Sequence, residues 1–304
     1  MSLTFIVLVV IVLAIGEVSA APRKVIISTD IGDDIDDAFA VAFALKSPEL
    51  KVDAIVATHG PTARRAKLAA RLLSIAGRED IPVLVGKPGE DYDQGQLRWA
   101  AGFTPKTPVV SDGPRALADR VMRSREKVII VPTGPLTDVA EMLKLEPKVK
   151  EKIEEIVLMG GSIYRDFHYK PQPCPETNIV LDAKAARTVF ESGIPITMAP
   201  LDVTVMMQPD PADMKRLAES KQPLAHALHE LFVAWGHPIP TFYDPVAVAV
   251  ILQRDMVKTE RLCVKVTNDG FTRVAPGEEP NANVCLEVDK PRFMKLFMGR
   301  ILGD

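Results

Sequence analysis

The sequence predicts an α/β fold, with a Rossmann-like, mostly parallel central sheet flanked by helices. Short apolar runs alternate with amphipathic segments, the order that builds strand-helix-strand units and a parallel sheet. With 47% hydrophobic and 25% charged residues, the 304-residue chain has ordinary globular composition and enough apolar material for a large core. No low-complexity linker and no internal repeat breaks the alternation, so one domain over residues 21–304 is the simplest organisation.

Residues 1–20, "MSLTFIVLVVIVLAIGEVSA", carry an apolar run from Phe5 to Ile15 and then the small-residue pattern Val18-Ser19-Ala20, which reads as a secretory signal peptide cleaved near Ala20. The run is short for a membrane span; because no Lys or Arg precedes it, an uncleaved anchor is the alternative. The first reading makes the protein secreted or periplasmic, with no lasting membrane association. Beyond it, "RKVIIST", "KVDAIVAT", "IPVLVG", "EKVIIVPT", "EEIVLMGG" and "IPITMAPLDV" read as buried strands. "ARRAKLAARLLSIAG", "PLTDVAEMLKL" and "DAKAARTVFESG" read as helices. The stretch from Gly86 to Asp112 lacks periodicity and reads as a functional loop. From Pro209 to Trp235 the pattern is helical, "YDPVAVAVIL" begins another helix, and two strands and a closing helix, "KPRFMKLFMGRIL", end the chain.

Net charge is only −3 and the basic residues are scattered, which excludes the electrostatic footprint of a nucleic-acid binder and points to a small-molecule partner. Cys174, Cys263 and Cys285 form no CxxC pair, so neither a zinc site nor a dense disulfide framework is expected, and metal chemistry must use oxygen. In an exported protein Cys263 and Cys285, each in a strand-like run, are candidates for a bridge that leaves Cys174 free.

The chemistry concentrates after the first strand, where ligands of parallel sheets bind beyond the carboxyl ends. In "VIISTDIGDDIDDAFAV", Asp30, Asp33, Asp34, Asp36 and Asp37 crowd five carboxylates into eight residues. Asp36 and Asp37 suit a helix start, where carboxylates meet free N–H groups and the positive dipole end. That accounts for two acids, not five. Each close like-charge pair costs on the order of a kcal/mol unless a cation or proton intervenes. Oxygen-only ligands in an irregular loop suit Ca²⁺ or Mg²⁺. An EF-hand needs a twelve-residue frame ending in Glu, which is missing, and a phosphatase-type DxD loop needs an acid where Ser28 stands.

"STDIGDDIDDAFAV" resembles the signature of the inosine-uridine-preferring nucleoside hydrolases, in the variant with two extra residues between the first Asp and the Asp-Asp pair. "VPTGPLTDVAEML", "IVLMGGS", "ETNIVLDAKAA", "ITMAPLDVT", "YDPVAVA" and "LEVDKPRF" resemble further blocks of that family, in its order, over nearly the whole mature chain. The resemblance implies the nucleoside hydrolase fold, Ca²⁺ as cofactor and a homodimer or homotetramer. It implies that Asp30 is both a metal ligand and the general base toward a metal-bound water. Asp37, Asp244 and the backbone carbonyl of Thr133 would complete the ligand set, Asp36 would hold the ribose 2′- and 3′-hydroxyls, and Glu176 and Asn178 would contact other sugar hydroxyls.

Cleaving an N-glycosidic bond passes through an oxocarbenium-like sugar, so a site needs a nucleophilic water on one face and carboxylates to stabilise positive charge. A Ca²⁺ ion lowers the water's pKa and fixes it for attack on the anomeric carbon. Plainer roles stand beside these: Asp244-Pro245 is also a good helix start, Glu176 and Asn178 suit a turn, and Asp202 in "LDVT" suits a strand end with a satisfied carboxylate. Ser28 replaces a common Asp, Pro61 replaces an Asn or Asp, and Lys170 falls where an Asn would approach the sugar. Tyr243 stands before Asp244, where members that cleave purine and pyrimidine nucleosides often place a His credited with protonating the leaving base. Tyr243 is the candidate acid, with His59, His168 and His237 as alternatives to it. The function expected is a Ca²⁺-dependent hydrolase of ribonucleosides or a related N-glycoside; the alternative is an exported calcium-containing nucleoside- or sugar-binding protein with little turnover.

Overall fold

The computed structural model describes residues 21–304; the expected signal segment, residues 1–20, lies outside the described residues. Strands β1 (Arg23–Thr29), β2 (Leu50–Ala57), β3 (Val83–Val85), β4 (Val109–Val110), β5 (Val128–Pro132), β6 (Ile153–Met159), β7 (Ile196–Ala199) and β8 (Val257–Leu262) join one sheet. β9 (Val264–Val266) and β10 (Thr272–Val274) form a separate antiparallel pair, and β11 (Ala282–Val288) returns to the large sheet. Its order is β4-β3-β2-β1-β5-β6-β7-β11-β8, parallel throughout except for the edge pair β11–β8.

The helices are α1 (Asp36–Leu45), α2 (Thr62–Ile75), α3 (Gly95–Trp99), α4 (Gly113–Arg123), α5 (Thr137–Leu145), α6 (Thr177–Val180), α7 (Ala183–Phe190), α8 (Leu201–Thr204), α9 (Pro211–Glu219), α10 (Pro223–Trp235), α11 (Tyr243–Leu252) and α12 (Lys290–Leu302). They cover both faces, which explains why the central strands β1, β5, β6 and β7 are buried at nearly every position. Side chains alternate across a strand: Val25 and Ile27 of β1 enter the core shared with α1, α2, α11 and α12, and Ile26 enters the one shared with α4, α5 and α7. Phe39, Phe242 and Phe297 anchor the first core edge to face, Phe242 and Phe297 with centroids 4.7 Å apart.

β1 has β2 on one side and β5 on the other, so the winding direction reverses between β1 and β5. Such a switch point opens a crevice beyond the carboxyl ends of the two strands, and the acidic loop runs into it.

Several local expectations change. The aperiodic stretch from Gly86 to Asp112 contains α3 and β4, and α4 follows it, burying Leu117 and Val121 one turn apart. "LDVT" is the short helix α8 rather than a strand end, and the C-terminal region holds four strands rather than two. The Cys263–Cys285 bridge does not form: all three cysteines are free. The β8–β11 register sets Leu262 opposite Ala282 and Cys285 opposite Thr259. Strand rise of about 3.3 Å per residue then separates the two thiols by several rungs, beyond the roughly 7 Å that a disulfide spans between Cα atoms. Among the described residues no helix is long and apolar enough to cross a membrane.

Candidate active site

Asp30 follows β1 directly and Thr133 follows β5, so the crevice joins residues far apart in sequence. α1 opens with Asp36 and Asp37, α11 opens with Tyr243 and Asp244, and Glu176 caps α6 by accepting from the N–H groups of Asn178 and Ile179. Helix starts favour carboxylates because their N–H groups are unpaired and the dipole is positive there. The eight residues expected to form the site, Asp30, Asp36, Asp37, Thr133, Glu176, Asn178, Tyr243 and Asp244, all line one cavity of about 170 Å³. Asp33, Asp34, Met159, Phe167 and Thr177 complete its wall.

Buried carboxylate oxygens of Asp36, Asp37 and Asp244 lie within 4.8 Å of one another. Asp36 Oδ2 accepts from the Asp244 backbone N–H at 3.0 Å, which locks the two helix starts together. Asp37 Oδ1 accepts from the hydroxyls of Thr29 and Thr133, the latter at 3.1 Å. Asp30 shares the cavity but is not part of this triplet. Gly134 lets β5 come close to it, since a Cβ there would strike the Asp30 carboxylate and sit 2.9 Å from its backbone nitrogen.

Burial raises the carboxyl pKa of Asp30, Asp34, Asp36, Asp37 and Asp244. For Asp30 the neighbouring Asp37 charge adds to it, opposed by Arg65; for Asp36 the charges of Asp34 and Asp37 add; for Asp244 those of Asp36 and Asp37 add. Asp37 is pushed up to about 7 by burial, against the hydroxyl of Thr29. With no cation, the cluster keeps protons it would lose in water. A set of buried, converging carboxylates with oxygen donors alone is what a hard divalent cation requires, so the residues present fit a metal site of that kind.

Glu176 and Asn178 serve structure as well as the cavity. Glu176 accepts from Gly161 N at 2.8 Å, and burial pushes its carboxyl up. Asn178 Nδ2 donates to the carbonyls of Thr133 at 3.0 Å and Met159 at 3.3 Å, so its amide aims the carbonyl singled out as a ligand. Tyr243 is half-buried, and burial raises the pKa of its hydroxyl. His59, His168 and His237 do not line the cavity; the His237 ring lies against Trp235, tilted by 43° with centroids 4.4 Å apart. Asp202 accepts from the N–H groups of Ile163 and Tyr164 at 2.9 and 2.7 Å, the satisfied structural carboxylate expected of it. Lys170 is exposed and outside the cavity wall, its N–H bound to Asp166. The Ser28 hydroxyl is buried with no hydrogen-bond partner, so the serine does not take over the contacts of a carboxylate.

Sequence reading missed Thr29 and Arg65. Thr29 gives no signal inside an apolar strand. Arg65 does give one: it occupies the stripe of α2 that continues through Leu68, Ala69 and Leu72, where a charge is out of place unless it is paired inside.

A model of the family described as "Inosine-uridine preferring nucleoside hydrolase" matches residues 25–295. The pyrimidine-specific ribonucleoside hydrolase RihA of Klebsiella pneumoniae subsp. pneumoniae is 33% identical over 300 residues, covering 88% of this chain and 94% of the relative. Among solved structures, a plant nucleoside hydrolase, the PpNRh1 enzyme, superposes with a TM-score of 0.81 at 25% identity over 93% of this chain and all of that one. The purine-preferring ribonucleoside hydrolase from Gardnerella vaginalis gives 0.79 at 26% identity, covering 92% and 98%.

Proposed function

The chain belongs to the inosine-uridine preferring nucleoside hydrolase family, and from that premise we propose that it hydrolyses the N-glycosidic bond of ribonucleosides with Ca²⁺ as its metal. The observation that carries the reading is the convergence of Asp36, Asp37 and Asp244 within 4.8 Å, in the cavity that Asp30 enters from β1.

Asp30, Asp37, Asp244 and the Thr133 carbonyl would hold the ion, which supplies a lowered pKa and a fixed position to a coordinated water. Asp30 acts as general base: burial beside Asp37 raises its proton affinity, which suits a group that must accept a proton near neutral pH. Asp36, Glu176 and Asn178 orient the sugar through its hydroxyls, and the surrounding carboxylates stabilise positive charge as the bond to the base breaks. Tyr243, protonated at neutral pH at its ordinary pKa near 10, is the donor available to the leaving base, and burial, by raising that pKa, makes it a weaker acid than a histidine would be. The relatives divide between pyrimidine-specific and purine-preferring. Residues 1–20 support export, which would make nucleoside scavenging outside the cytoplasm the role.

Release of free ribose from a panel of purine and pyrimidine nucleosides, with EDTA and with Ca²⁺ restored, tests the reading. Release that EDTA stops and Ca²⁺ restores is expected. Nucleoside binding by calorimetry without any release would replace the enzyme with a binding protein.

A further inference from the structure

Building on the Ca²⁺ reading of the site, we propose that Arg65 is the positioning residue of the acidic loop, setting the backbone at Asp30 and supplying the fixed positive charge against which the buried carboxylates are preassembled. Its side chain is wholly buried, yet it does not line the cavity, so it acts through Asp30 and not on the substrate. A cation taken out of water this completely needs every donor paired. Each guanidinium nitrogen is in fact engaged. Nε donates to the His59 carbonyl at 2.8 Å, Nη1 to the carbonyls of Asp30 and Ile31, the latter at 3.0 Å, and Nη2 to Asp33 Oδ2 at 2.8 Å and to the Tyr92 hydroxyl.

These acceptors belong to three separate loops, those after β1, β2 and β3. Tyr92 closes the ring by donating to Asp33 Oδ2 at 2.7 Å. Gly60, with φ +60°, makes room for it: a Cβ there would lie 2.9 Å from the Tyr92 hydroxyl. The planar fork of arginine reaches acceptors in several directions at once, whereas a lysine ammonium offers three donors from one point. The charge also opposes those of Asp30 and Asp37 before any cation arrives. A purely structural arginine would stabilise the three loops and leave the site's affinity unchanged, and that difference can be measured.

Arg65→Lys, stripped with EDTA and titrated with Ca²⁺ by calorimetry, separates the two. Groups that orient metal ligands typically cost about 10- to 100-fold in affinity or activity when changed, and a loss in that range is expected here. At saturating Ca²⁺ the variant should also show a lower kcat with KM for the nucleoside nearly unchanged, the signature of a displaced base. A folded Arg65→Lys protein with wild-type Ca²⁺ affinity or wild-type kcat overturns the proposal, whatever its melting temperature. If that variant does not fold, Tyr92→Phe carries the test: it loosens the guanidinium without changing charge, so a severalfold loss of Ca²⁺ affinity supports the role and wild-type affinity overturns it. Wild-type protein that binds no Ca²⁺ in the same titration would overturn the metal reading itself together with this one, whereas wild-type binding with an unaffected variant removes only the role of Arg65.

Discussion

Asn178 donates through Nδ2 to the backbone carbonyl of Thr133 at 3.0 Å, tying the first turn of α6 to the carboxyl end of β5. Thr133 in turn donates its hydroxyl to Asp37. One chain of hydrogen bonds therefore runs from Asn178, proposed to meet the sugar, to Asp37, proposed to hold the metal. Asn178→Ala should lower Ca²⁺ affinity as well as sugar binding, by about 10-fold or more, as loss of a ligand-orienting contact does. Calorimetry with the metal alone checks it: unchanged affinity would confine Asn178 to the substrate.

Asp30→Asn should keep the fold and lose turnover. The amide is isosteric and removes a carboxylate whose pKa burial already raises, so the melting temperature should hold or rise in EDTA. Loss of a general base costs about 10²- to 10⁴-fold in rate. Wild-type kcat/KM in this variant would show that another group takes the proton.

Gly134→Ala should inactivate without unfolding. The added methyl meets the Asp30 carboxylate and lies 2.9 Å from its backbone nitrogen, in a region where the strand ends cannot easily part. A displacement of about 1 Å at a catalytic group can cost 10²-fold. Steady-state kinetics beside circular dichroism would decide: full activity would mean that Asp30 tolerates a shifted position.

Tyr243→Phe separates the leaving-group role from packing. Removing the hydroxyl should lower kcat on purine nucleosides by about 10²-fold, within the range of a general acid, with little change in KM. Equal rates for the two proteins would exclude Tyr243 as the acid.

The stability of the metal-free protein should fall as pH rises. Folding raises the carboxyl pKa of Asp30, Asp36, Asp37 and Asp244, so these groups favour the folded state at pH values below their ordinary range near 4, and that contribution is lost as pH climbs through their folded values, about 7 for Asp37. A divalent cation reverses the penalty by neutralising the ionised cluster. The gap in melting temperature between Ca²⁺ and EDTA should therefore widen from pH 5 to pH 8, a window set by the direction of these shifts. A gap that stays constant across that range would show that the cluster does not titrate with folding.

The alternation of apolar and amphipathic segments was enough to specify a parallel α/β sheet, because strands buried on both faces must be apolar throughout and helices covering them must be amphipathic. The density of carboxylates after β1 likewise marked the site, since charge repulsion at that spacing demands a cation or a proton. Asp244, Thr133 and Asn178 were legible only through their resemblance to family blocks. Nothing in local pattern connects α11, β5 and α6 to Asp37, and only the winding reversal between β1 and β5 brings them together. The failed Cys263–Cys285 bridge has the same origin: Cys285 lies in β11 and Cys263 in the gap between β8 and β9, and the register that separates them is a property of paired strands. Arg65 stood in plain sight on an apolar helical stripe, yet its partners come from three loops, so its meaning depended on tertiary contacts. Patterns of period and charge are local, and a chain can advertise them by itself. Which donor meets which carboxylate is set by how distant segments pack, and that was decided only by the folded structure.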